Sequence, residues 1–248
     1  MKKEKIMNKE EMLNFFQEGI VNDLMFATRH YFIYRTVGEN YLALKKYSNK
    51  NMDSLFGQLQ SSSADLAVLS LAKIYDANNY YPVRSISGFL SNEMDSTQYY
   101  PFLSKDFSEF TILKDRFNIK SIPQNFELPK NLSKFFKEIL SKEPFAKKIK
   151  NLKFVRNKYI AHNQNGVNFN YLNNFWEDFL DLIDFVKRFI SLFGLTVFGT
   201  EFISFKVSDD EPIHFSITME LYWLVEEIEK AIGTDNFNYW WRNSSQQS

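Results

Sequence analysis

Apolar residues recur at intervals of three and four along most of this chain, the repeat that gathers them on one face of an α-helix. From Asn8 to Tyr47 the residues Leu13, Phe16, Ile20, Leu24, Tyr31 and Tyr34 keep that spacing. Asn8 suits the N-cap, Glu10 and Glu11 suit the positive end of the dipole, and Lys45 and Lys46 suit the negative end. One long helix is therefore expected over Asn8–Tyr47. A second is expected over 54–76, capped by Asp53. Its middle (Ala64, Leu66, Ala67, Val68, Leu69, Leu71, Ala72, Ile74) is apolar nearly all round, the mark of a helix buried on several sides. Ser85 is placed to cap a short helix reaching Met94. Another helix is expected over Ser104–Phe117, with breaks at Pro123 and Pro129.

Helices resume over 131–141 and 144–163. Pro144 is expected at the first position of the latter, where its missing N–H costs nothing. The next helix, 169–193, carries Tyr171, Phe175, Trp176, Phe179, Phe185, Phe189 and Phe193 and should end at Gly194. After Glu201 the period changes to two. Ile203, Phe205 and Val207 alternate with polar residues, as do Ile213, Phe215 and Ile217, with Ser208–Pro212 between them. That predicts a β-hairpin over 201–218, then an amphipathic helix over 218–232 that Gly233 ends. The fold expected is mainly α: a helical bundle over residues 1–194, with 195–248 as an extension (hairpin plus helix) packed on it. Only 8 Gly and 6 Pro in 248 residues agree with few forced turns, and that length can bury a substantial core.

Composition narrows the chemistry. There is no cysteine, which removes disulfides, thiolate metal sites and cysteine nucleophiles and suits a reducing cytoplasm. The segment Met1–Lys5 does not lead into an apolar signal core, so secretion is not expected. Phe175–Phe198, the richest apolar stretch, includes Glu177, Asp178, Asp181, Asp184, Lys187 and Arg188, too many charges for a membrane span. A net charge of zero argues against coating nucleic acid by bulk charge. The zero hides an asymmetry: Lys130 to Lys158 holds ten Lys/Arg against Glu138 and Glu143 alone. That strip is either a solvated helix face or a basic surface beside an active site.

Much familiar chemistry is missing. No Gly-rich phosphate loop occurs. His30, His162 and His214 stand far apart without an HExxH or HxH pattern, which disfavours a histidine metal site. Ser61–Ser63 lacks the context of a hydrolase elbow. What remains is residues 154–163, Phe-Val-Arg-Asn-Lys-Tyr-Ile-Ala-His-Asn: Arg156, then polar Asn157, then His162. Taken alone, His162 also suits a C-terminal helix cap, Arg156 a salt bridge to a neighbouring helix, Asn157 a plain surface position and Asp76 a helix end. On an ideal helix, positions six apart differ by about 120° and about 9 Å of rise, so Arg156 and His162 do not stack on one face of a straight helix.

The arginine, polar residue, spacers and histidine resemble the signature of the HEPN superfamily. Leu71-Ala-Lys-Ile-Tyr-Asp76, with Ser85-Ile86 after it, is similar to a second motif of its abortive-infection U branch, and the likeness covers about residues 10–193. The resemblance implies a helical bundle, a homodimer with the two motifs facing each other, and a metal-independent endoribonuclease toxin acting on phage or host RNA. It implies catalytic roles for Arg156, Asn157 and His162, substrate binding by Lys153, Lys158 and Asn163, and support from Asp76. No metal or other cofactor is expected. The partners expected are RNA and a second copy, with an antitoxin protein as a further candidate. The other readings are a non-catalytic HEPN-like module that binds RNA, a nucleotide or a protein on the same face, and a purely structural dimerisation protein.

Overall fold

The computed structural model describes residues 9–41, 44, 50–76, 85–91, 108–119, 129–160, 174–199, 202, 227 and 230. About 90% of them are helical and none lies in a strand. The expected hairpin over 201–218 falls outside the described residues apart from Phe202; of the last helix only Glu227 and Lys230 are described, both helical.

The first expected helix is interrupted. Helix α1 (Lys9–Phe16) passes through a π-helical turn, Gln17–Val21, into α2 (Asn22–Glu39). The Asn22 N–H donates back to the Gln17 carbonyl, five residues earlier. Gly19, Ile20 and Val21, neighbours in this wider turn, are all buried. Helix α3 (Lys50–Tyr75) starts earlier than expected, so Asp53 lies inside it and does not cap it. It is buried from Ala67 to Tyr75 save Leu69 and Lys73, whereas Leu66 is 43% exposed and so is not part of an all-round apolar surface.

Helix α4 (Ile86–Ser91) is capped as expected, the Gly88 N–H donating to Ser85 Oγ at 3.1 Å. Helix α5 (Ser108–Arg116) ends in a Schellman turn. Asn118 takes a positive φ of 47°, the Ile119 N–H reaches the Lys114 carbonyl at 2.9 Å, and Ile119 is buried beneath. Helix α6 (Pro129–Ser141) begins at Pro129, so that proline starts a helix where a break was expected; a first-turn proline forfeits no helical hydrogen bond. Pro144 is the N-cap of α7 (Phe145–Val155), one position before its expected place. A π turn, Arg156–Ile160, continues α7.

Helix α8 (Phe175–Phe193) carries the aromatic row. Gly194 does not end it: with φ −54° it opens a third π turn, Gly194–Phe198, and Gly199 (φ 66°) is the true stop. Val197 and Phe198 are buried, so apolar contact carries the helix past a glycine that has no need of a left-handed φ.

The chain divides into two compact units, one of residues 1–24 and 71–205, the other of 25–70 and 206–248. The first is built on phenylalanine. Phe185, Phe189 and Phe193 of α8 are fully buried. Phe136 of α6 lies 5.0 Å from Phe189, and Phe89 of α4 lies 5.2 Å from Phe193. Phe16 of α1 lies 5.1 Å from Phe89 and 5.3 Å from both Phe198 and Phe202. In the second unit Ala27, Ile33, Val37 and Phe56 are buried. His30 stacks on Phe26, and its Nδ1 is buried without a hydrogen-bond partner among the described residues.

Replacing Phe189 by Ala removes a ring packed against Phe16, Phe89, Phe136 and Phe193, and urea unfolding should read a loss of about 3–5 kcal/mol. A loss below about 1 kcal/mol would show that this aromatic row is not the core. Burial, then the nearby Arg29 guanidinium, push the His30 imidazole below its ordinary range. The folded state therefore takes up this proton less readily than the unfolded chain. Stability contributed by neutral His30 is present above the unfolded pKa and is lost as pH falls toward the folded one. The melting temperature of the wild type should thus drop more between about pH 7 and about pH 5 than that of His30→Gln; equal slopes would contradict this.

Candidate active site

The last turn of α3 presents two neighbouring side chains to different partners. Tyr75 is buried, and its hydroxyl donates to the Leu182 carbonyl in the middle of α8 at 2.7 Å. Burial pushes this phenol well above its ordinary range, with the Asp184 carboxylate adding to the effect, so Tyr75 stays a neutral donor. The next residue, Asp76, comes just after the helix, its N–H bonding the Lys73 carbonyl. Its Oδ2 accepts a charge-assisted bond from Arg156 Nη1.

Arg156 opens the π turn at the end of α7. Its Nε donates to Asn157 Oδ1 at 2.9 Å, so the guanidinium is gripped from two sides while its side chain keeps 21% exposure. π turns inside helices occur often at functional sites. Asn157 and Lys158 are exposed. Lys153, one turn before Asn157, is half-buried. Burial lowers its affinity for a proton, an effect that Asp76 opposes and Arg156 reinforces. Lys153 therefore belongs to the Asp76–Arg156 cluster. His162 and Asn163 lie outside the described residues.

The structure thus brings together Asp76, Lys153, Arg156 and Asn157. With Nε and Nη1 engaged and the side chain 21% exposed, the N–H groups left on the guanidinium are donors of the kind that hold a phosphate oxygen. Among the described residues no group of three or more His, Asp or Glu could hold a metal ion, and no helix is long and apolar enough to cross a membrane.

Sequence reasoning passed over the packing that positions α7. Lys148 binds Asp178 at 3.0 Å and also pairs with Asp181. Arg116 of α5 pairs with Asp181 and Asp184, and Arg188 with Asp184 at 3.0 Å. The three aspartates stand at three-residue steps on α8, a spacing that signals one acidic face. Tyr75 was also missed as an anchor, although it sits inside the block Leu71–Asp76.

A protein-family model described as AbiU2, of the HEPN type, matches residues 9–214. No curated protein and no solved structure matches the chain.

The substitution Asp76→Asn keeps the shape of the side chain and removes the carboxylate from Arg156. Both partners of this pair are 21–32% exposed, so unfolding experiments should register less than about 1 kcal/mol. The same change should let the Lys153 ammonium titrate lower still, because Asp76 is the group that holds its proton affinity up. Side-chain NMR of Lys153 reads this directly, and an unmoved titration would show that Asp76 does not act there.

Proposed function

Because the chain belongs to the AbiU2 family of HEPN proteins, we propose that it is a metal-independent endoribonuclease toxin of an abortive-infection or toxin–antitoxin system, working in the cytoplasm as a homodimer. The observation that carries this reading is the Asp76–Arg156–Asn157 constellation. The arginine of the motif is held by its neighbours and partly open to solvent, and His162 lies five residues beyond Asn157 in the sequence.

RNA supplies its own nucleophile. His162, an imidazole and so a residue type suited to proton transfer, takes the proton of a 2′-hydroxyl or gives one to the departing 5′-oxygen. The 2′-oxygen bonds to phosphorus, the bond from phosphorus to the 5′-oxygen breaks, and a 2′,3′-cyclic phosphate and a 5′-hydroxyl remain. Arg156, permanently charged, stabilises the negative charge that grows on the equatorial phosphate oxygens. Asn157 orients the guanidinium, Asp76 fixes it, and Lys153, Lys158 and Asn163 bind substrate near it. In an isologous dimer the motifs of both copies meet at the twofold axis, so arginine and histidine of different chains can serve one phosphate. Residues 195–248 are read as an extension on the helical domain, and an antitoxin protein as the partner that restrains it. The other reading, a non-catalytic binding module, draws support from the zero net charge.

Purified protein should cut single-stranded RNA in excess EDTA and leave cyclic-phosphate ends. His162→Ala should reduce this by about 10²–10⁴-fold and Arg156→Ala by a comparable factor, with Asn157→Ala milder. Sedimentation and melting of each variant should match the wild-type dimer. Retained cleavage in folded His162→Ala would end the mechanism. RNA binding without cleavage by the wild type would favour the binding module.

A further inference from the structure

The cations of α7 divide between two sides. Lys148 is held by Asp178 and Asp181, and Arg156 by Asp76, while half-buried Lys153 sits in the field of that last pair. Lys147 and Lys150 are exposed, and among the described residues no carboxylate is paired with either ammonium. Four residues after Lys150 comes Phe154, which is 44% exposed, and after three and four more come exposed Asn157 and Lys158. Steps of three and four put neighbours on one helix face. Lys147, Lys150 and Phe154 therefore form an outer stripe that runs into the motif. It spans about 16 Å from Lys147 to Lys158 at about 1.5 Å per residue.

Cations outnumber anions in the sequence around this stripe, although the Glu143 carboxylate accepts the Lys147 backbone N–H at 3.2 Å. Between Pro144 and Trp176 there are six Lys/Arg and no Asp or Glu. Paired cations toward α3 and α8 with unpaired cations outward leave the outer face complementary to a polyanion. The ring adds a flat apolar surface, which suits an unpaired base and offers nothing to a duplex whose bases are stacked on one another. Lysines along a backbone with an aromatic for the bases is the combination that binds single-stranded nucleic acid.

Resting on the ribonuclease reading above, we infer that the outer stripe of α7 is a track for single-stranded RNA. Lys147 and Lys150 bind backbone phosphates, and the Phe154 ring stacks on an unpaired base next to the phosphodiester that Arg156 and Asn157 hold. Stacking is tolerant of base identity, so the track selects unpaired RNA and imposes little sequence preference of its own.

The test is binding of a fluorescent, mixed-sequence 2′-O-methyl RNA to the full chain, since an oligonucleotide without free 2′-hydroxyls cannot be cleaved. Lys147→Glu with Lys150→Glu should weaken binding at least about tenfold and flatten the dependence of log Kd on log salt by about 1.4, two single-strand phosphate contacts at about 0.7 each. Phe154→Ala should weaken binding about tenfold and leave the salt slope unaltered, and Phe154→Trp should restore it. A duplex of the same sequence should bind more weakly than the single strand. Affinity unchanged in the lysine or phenylalanine variants, or equal affinity for duplex, overturns the inference. So does a Phe154→Ala protein that keeps its RNA affinity but loses its dimer, because the ring would then belong to an interface between copies. Wild-type protein that binds this probe yet leaves ordinary RNA uncut refutes the ribonuclease reading and keeps the track. Stripe variants that bind and cut like the wild type do the reverse.

Discussion

Tyr75 and Asp76 are adjacent in the chain, and the hydrogen bond from the Tyr75 hydroxyl to the Leu182 carbonyl fixes where Asp76 can be. A buried phenol without a partner would forfeit a hydrogen bond worth about 0.5–1.5 kcal/mol net and carry a further desolvation penalty, so this contact locates the end of α3 on α8 closely. Asp76 then meets Arg156, which stands on a helix that is itself tied to α8 through Lys148, Asp178 and Asp181. Three helices thus agree on the position of one guanidinium. The energy involved is modest, because the Asp76–Arg156 pair is partly exposed, and its value lies in orientation.

The same arrangement explains why a neutral protein can present a basic surface. Acidic residues of α8 and the end of α3 neutralise the cations on the inward side of α7, Asp76 against Arg156 and Asp178 and Asp181 against Lys148. Lys147 and Lys150 keep their fields toward solvent. Total charge sums the two sides and conceals the difference, since interactions beyond about 8–10 Å are screened at ordinary salt and a partner feels only the nearer face.

Among the described residues, π turns interrupt or extend helices at Gln17–Val21, Arg156–Ile160 and Gly194–Phe198. Each widens the helix locally and re-aims the residues beyond it. At the first, Gly19 to Val21 are buried together. At the third, Val197 and Phe198 are kept in the apolar interior. At the second, the change falls on Arg156 and Asn157, the residues of the proposed site.

Periodicity in the sequence was enough to establish a mainly helical chain, because buried faces must repeat every three or four residues wherever a helix packs. It also located the aromatic row of α8 and the cap at Ser85, both governed by residues close together in the chain. The Arg156–Asn157 and Leu71–Asp76 motifs were legible as residue types in a pattern, and the family match spans both. The rest was decided by tertiary packing. Gly194 has the local marks of a helix end, yet burial of Val197 and Phe198 carries the helix on to Gly199. Pro129 begins a helix because a first-turn N–H has no partner to lose, a choice its neighbours alone do not announce. Asp76 and Arg156 are eighty residues apart, and Tyr75 and Leu182 one hundred and seven. No local rule sets contacts at that separation; they exist because the apolar faces of α3, α7 and α8 have one close-packed arrangement, and the polar groups at their edges pair where that arrangement leaves them.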